Sequence, residues 1–107
     1  MYITIKKSNN VDEKSAGAWF PLKEEKLGEL SKEIDISISK GMNCYIVDSN
    51  DSDLMSVIKE RYCNMDELNF LAKRLDSFDA KEKNTFFASA IATDAQSLKD
   101  QIGRAHV

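Results

Sequence analysis

The sequence is poor in the residues from which active sites and covalent staples are built. Its 107 residues include one histidine, one proline, one tryptophan, two cysteines and four glycines. The histidine, His106, stands one residue from the end, so no Ser-His or Cys-His pair and no histidine-based metal shell can be assembled around it. The glycines form no phosphate-cradling loop. Two cysteines are too few for a disulfide framework. They are expected as reduced thiols, with Cys44 buried in a strand, and nothing in the residues signals a Cys44–Cys63 bridge, although one is possible. No apolar run approaches the roughly 20 residues that cross a bilayer. The opening Met1-Tyr2-Ile3-Thr4-Ile5-Lys6-Lys7 lacks the long apolar stretch of a secretory leader. A soluble, cytoplasmic protein without a membrane partner is therefore expected. Positive charge is not in surplus either: 15 Lys and Arg stand against 18 Asp and Glu, a net charge of −3 with pI near 5.1. This argues against direct nucleic-acid binding, which needs a basic face for phosphates.

What is present is the material of an ordinary small domain. Hydrophobic residues make up 42% and charged residues 31% of the chain, enough for one domain, or two subdomains sharing a core. The charge is uneven. Met1 to Asp53 holds seven Lys and ten Asp or Glu, whereas Leu54 to Val107 holds eight of each sign, so an anionic surface belongs in the first half.

Strand signals come first. Ile3 and Ile5 alternate with Tyr2, Thr4 and Lys6, predicting a strand with the isoleucines facing inward. Ser8-Asn9-Asn10 ends it, and a polar loop runs to Ser15. Gly17-Ala18-Trp19-Phe20-Pro21-Leu22 reads as a second strand closed by Pro21. From Leu22 to Ile34 the period changes: Leu27, Leu30 and Ile34 share one helical face, and Glu24 and Glu25 suit the positive end of the helix dipole. Gly28 makes this helix marginal. Asp35 to Ser39 alternates in an extended pattern, Lys40-Gly41 is turn-like, and Asn43 to Asp48 is the clearest strand. Leu54 to Tyr62 fits either a helix capped by Ser52 or Asp53 or an irregular extended stretch.

Helices dominate the remainder. Asn64 and Glu67 resemble a capping box ahead of the Leu68, Leu71 and Leu75 stripe. Asp79 and Glu82 open a second helix with Phe86, Phe87, Ala90 and Ile91 on its apolar face. Asp94, Leu98 and Ile102 suggest a third, stopped by Gly103. The expected fold class is α+β: a small antiparallel sheet of about three strands with one helix (residues 1–53), then a helical subdomain of about three helices (54–102) and a frayed tail (103–107).

No catalytic constellation, metal site or cofactor site emerges. Asp48, Asp51 and Asp53 suggest a calcium loop, but Asp53 occupies the position of the required glycine and Lys59 that of the bidentate glutamate. Trp19, Phe20, Phe86 and Phe87 lie in apolar runs and are expected in the core. Lys6-Lys7 and Lys73-Arg74 are isolated pairs on solvent faces.

Three stretches together resemble one family. Gly17-Ala18-Trp19-Phe20-Pro21-Leu22 is similar to the G-x-W-[FV]-x-[LF] strand of ArdA-type antirestriction proteins. Tyr45-Ile46-Val47-Asp48 is similar to a later strand of that family ending in Asp, where Tyr-Glu often follows and this chain has Ser49-Asn50. Asn64-Met65-Asp66-Glu67-Leu68-Asn69-Phe70-Leu71-Ala72 is similar to the family's s-[LI]-x-E-L-N-x-L-A helix. The order agrees from Met1 to about Ile102. The resemblance implies a three-stranded sheet with a short helix and a helical subdomain, without the family's third α/β domain. It also implies an activity: elongated acidic dimers of the family imitate bent DNA and occupy the DNA site of type I restriction-modification enzymes. By that reading the partner-binding carboxylates are Asp12, Glu13, Glu24, Glu25, Glu29, Glu33, Asp48, Asp51 and Asp53, which would steer association electrostatically. The alternative expectation is a non-catalytic protein-interaction module of a larger conjugation or phage protein, using an apolar or mixed surface.

Overall fold

A computed structural model of the chain describes residues 1–36, 43–58 and 61–92. Four strands form one antiparallel sheet: β1 (Tyr2–Lys6), β2 (Ser15–Trp19), β3 (Asn43–Ser49) and β4 (Tyr62–Asn64), in the order β2-β1-β3-β4. The described helices are α1 (Glu24–Glu33), α2 (Ser52–Val57), α3 (Met65–Ser77) and α4 (Ala80–Ala92). The fold is α+β, as the segregation of strand and helix signals implies.

The period-two pattern of β1 sets the faces. Ile3 and Ile5 are fully buried, as are Cys44 and Ile46 of the neighbouring strand. On this inner face Leu27 and Leu30 of α1, Leu54 of α2 and Met65, Leu68, Leu71 and Leu75 of α3 join the strands in one buried cluster, to which α4 adds Phe86 and Phe87. The boundary expected between residues 53 and 54 falls inside α2, and β4 lies beyond it yet pairs with β3.

The fourth strand answers the ambiguity of residues 54–62. Asp51, not Ser52 or Asp53, is the N-cap: its Oδ1 accepts from Leu54 N at 3.1 Å. A buried cap can serve only where its second oxygen also finds a partner, which is why an exposed serine beside it was the more obvious candidate from sequence. One short helix follows, then the chain turns extended at Ile58.

Other termini follow local rules. Asn64 caps α3 by accepting from Asp66 N at 2.8 Å and Glu67 N at 3.3 Å. Asp79 and Glu82 form a reciprocal capping box: Glu82 N donates to Asp79 Oδ1 at 2.8 Å and Asp79 N to Glu82 Oε1 at 3.2 Å. The end of α1 departs from expectation. Asp35 takes φ 60° instead of an extended conformation. Its N–H bonds Lys32 O at 3.1 Å, and Ile36 N bonds Ser31 O at 2.8 Å, which together make a Schellman termination with Asp in the place usually held by glycine. The expected strand at 37–39, the turn at 40–41, the helix at 94–102 with Gly103, and His106 lie outside the described residues.

One side chain joins the two halves of the chain. Asn69 of α3 is 5% exposed. Its Oδ1 accepts from Leu22 N at 2.6 Å and its Nδ2 donates to Leu22 O at 2.8 Å. Both polar groups of a residue that leaves the sheet are thereby satisfied from 47 positions away. Asn69→Ala removes both bonds and leaves Leu22 N–H and C=O without these partners, so it should destabilise the fold by about 2–3 kcal/mol. Urea unfolding checks this; a loss below about 0.5 kcal/mol would contradict it.

Candidate functional site: the outer face of the sheet

With the helices gathered on the inner face, no element among the described residues covers the outer one. Register places its side chains. Trp19 stands opposite Tyr2, Gly17 opposite Thr4, and Ser15 opposite Lys6. Tyr45 pairs with Lys6 on one side and with Tyr62 on the other. Successive residues of a strand point to opposite faces. The neighbours Trp19 and Phe20 therefore cannot both be buried along one strand direction. Phe20 is 2% exposed and Trp19 65%. The expectation that Trp19 belongs to the core is thus corrected, and the signal for its exposure is the parity set by Ala16 and Ala18, which face inward.

The face carries two aromatic pairs. Tyr2 and Trp19 meet edge-to-face with ring centroids 5.4 Å apart. Gly17 makes room for this: a Cβ there would lie 2.2 Å from the Tyr2 hydroxyl, so the ring lies across the strand where any side chain would lift it off. Tyr45 and Tyr62 form the second pair at 5.0 Å. Lys6 Nζ sits 6.0 Å from the Tyr45 centroid and donates to Asn10 O at 2.8 Å. The Tyr62 hydroxyl accepts from Asn9 N at 3.1 Å, tying the β1–β2 loop to the far edge strand. At the other end of β1, Asn50 exchanges bonds with Tyr2, as Tyr2 N donates to Asn50 Oδ1 at 2.8 Å and Asn50 N to Tyr2 O at 3.1 Å. The rings are thus mounted on fixed backbone. Edge-to-face pairs of this kind contribute about 0.5–1.5 kcal/mol beyond their buried area.

The carboxylates expected as a partner-binding set do not gather in one place. Asp12 is exposed in the β1–β2 loop, while Glu13 is half-buried and holds that loop by accepting from Ser8 Oγ and from Asn10 N at 3.2 Å. Glu24, Glu25, Glu29 and Glu33 are exposed on α1, with Glu29 3.2 Å from Lys26 Nζ. Asp48 is exposed on β3, where its Oδ1 accepts from Ser49 N, and Asp53 is exposed in the first turn of α2. Asp51 is corrected outright as a surface anion. Its side chain is 6% exposed and its Oδ2 lies 2.6 Å from Lys83 Nζ of α4, so both oxygens are engaged within the fold.

Elsewhere the chemistry is sparse. A cavity of about 380 Å³ opens beside the Asp51–Lys83 pair, with Asp53 and Asp76 on its wall. No group of three or more His, Cys, Asp or Glu among the described residues can hold a metal ion, and none of the described helices is long and apolar enough to cross a membrane. Cys44 and Cys63 face each other across β3 and β4 with their sulfurs 3.6 Å apart. Hydrogen bonding with Cys44, then burial, pushes the Cys63 thiol far above its ordinary pKa. Comparison with protein-family models, curated proteins and solved structures gave no match.

Two measurements follow. Asp51→Ala uncaps α2 and leaves Lys83 without this carboxylate, costing roughly 1–2 kcal/mol. Glu25→Gln on exposed α1 should stay within about 0.5 kcal/mol. Denaturation of both variants checks the contrast, and equal effects contradict the placement of Asp51. For Cys63 the folded pKa is raised, so its contribution to stability is complete below the unfolded thiol's pKa of about 8.5 and declines as pH rises above it. Between pH ~8.5 and ~10 the wild type should lose stability more steeply than Cys63→Ser, by about 1.4 kcal/mol per pH unit. Parallel slopes would overturn the assignment.

Proposed function

We propose that this chain is a non-catalytic protein-binding module, acting in the cytoplasm, that takes an apolar segment of another protein on the outer face of its sheet. The observation that carries the reading is Trp19, 65% exposed on an ordered strand and packed edge-on against Tyr2. Large aromatic rings held rigid at a surface are the residues on which binding energy concentrates at protein interfaces, because they give contact area at little entropic cost. Tyr45 and Tyr62 extend the same surface across the sheet. The partner's chemistry follows from the face: apolar or aromatic side chains for the rings, and a carboxylate near Lys6. A net charge of −3 disfavours a phosphate backbone as the occupant.

Selection from a displayed random-peptide library tests this. Wild-type protein should enrich apolar, aromatic-containing peptides whose binding falls at least tenfold for Trp19→Ala and for Tyr45→Ala. Binding should weaken only modestly between low and high salt, since the rings are not screened and only the Lys6 contact is. Peptides that bind wild type and both variants equally contradict the reading.

A second reading comes from the antirestriction resemblance, and one observation favours it. Glu25, Glu29 and Glu33 recur every four residues on exposed α1, an anionic stripe with about 6 Å between successive residues along the helix. In that reading the chain blocks a type I restriction-modification enzyme in place of DNA. Its signature is inhibition that weakens steeply with salt and is lost in the triple variant Glu25→Gln, Glu29→Gln, Glu33→Gln while surviving Trp19→Ala.

A further inference from the structure

The other chemistry-bearing feature lies on the opposite side of the same strands. We propose that Cys44 and Cys63 form a redox-modification site, a vicinal cross-strand dithiol that is converted to an internal disulfide by a small oxidised disulfide such as oxidised glutathione.

Three observations converge on it. The two cysteines are direct partners in the β3–β4 register. Directly opposed residues of an antiparallel pair have Cα atoms about 4.5–5.5 Å apart, inside the roughly 4.4–6.8 Å that a disulfide spans. Both thiols are free, and their sulfurs are already 3.6 Å apart. The register therefore already holds the pair within the span of a bridge, and the sulfurs need only close the remaining gap to about 2.05 Å. Finally, β4 is a three-residue edge strand, held to the sheet on one side only. Its parting from β3 exposes thiols that are buried in the closed form, and such local openings cost less than global unfolding.

The reaction balances without a further component. Cys63, 9% exposed against 0% for Cys44, loses its proton on opening and attacks one sulfur of oxidised glutathione. The S–S bond breaks and one glutathione thiolate leaves. Cys44, also deprotonated, attacks the Cys63 sulfur of the mixed disulfide and expels the second glutathione thiolate. Two protein thiols are oxidised by two electrons, and one oxidised glutathione becomes two reduced molecules that take up the two protons. Because both thiols are enclosed in the closed form, exchange is slow and follows the opening of β4.

The bridge closes a loop across a separation of 19 positions and pins the edge strand. The next pair along the ladder is Tyr45 and Tyr62, so oxidation clamps one end of the aromatic face. That last consequence rests on the binding reading above; the bridge itself does not.

The test is incubation of the native chain with oxidised glutathione, followed by intact mass and peptide mapping. Wild type should lose two hydrogens and yield a single Cys44–Cys63 cross-linked peptide, fully reversed by dithiothreitol, with Tm raised by roughly 10 °C. Cys44→Ser should instead retain one glutathione on Cys63, because the resolving thiol is gone. Wild type that accumulates stable glutathione adducts overturns the proposal. So does wild type that stays reduced under native conditions while urea-unfolded chain forms the bridge. A bridge that forms without altering peptide binding at the aromatic face upholds the site and overturns only its coupling to binding.

Discussion

The paired hydrogen bonds between Asn69 and the main chain of Leu22 hold the fold's two kinds of structure together. Leu22 lies beyond β2, which ends at Trp19, and ahead of α1, which begins at Glu24. The N–H and C=O of that residue would otherwise need water beneath α1 and α3. A primary amide donates and accepts side by side in one plane, and α3 delivers it from the turn between Leu68 and Leu71, both buried. The clamp fixes where α3 lies, α3 closes the inner face, and among the described residues the other face stays uncovered. The bare aromatic surface thus lies opposite the side to which the described helices are committed.

Much of this was legible from residue order. The Ile3 and Ile5 alternation, the Leu27, Leu30 and Ile34 stripe, and the caps at Asn64 and Asp79 are local signals, and local physics decides them. The Glu67-Leu68-Asn69 segment stood out in the sequence, although what Asn69 grips lies 47 residues away. The fourth strand was not legible. Three residues carry too little period to distinguish extended from helical, and only pairing with β3 makes Tyr62 to Asn64 a strand. The left-handed Asp35 was hidden for a related reason: the Schellman geometry needs Ile36 to be buried, and burial is a tertiary fact.

The candidate site was read less well than the fold. The family resemblance draws attention to carboxylates, and nine of them were its candidates. The fold distributes these over a loop, a helix, a strand and a short second helix, and engages Asp51 internally with Lys83. Trp19 was misread because apolar runs are ordinarily buried. A strand converts sequence neighbours into residues of opposite faces, so Trp19 and Phe20 part company although they adjoin. Gly17 carried the clue. Its absent side chain is what leaves room for the Tyr2 ring across β2.

Trp19 is the chain's single tryptophan, so its fluorescence reports on the outer face without interference from another indole. If that face is bare and ordered, folded protein should show a red-shifted, water-like emission that acrylamide quenches efficiently, with an emission maximum that hardly moves on unfolding in urea. A blue-shifted emission, protected from acrylamide and moving to the red on unfolding, would show Trp19 buried and contradict the central claim.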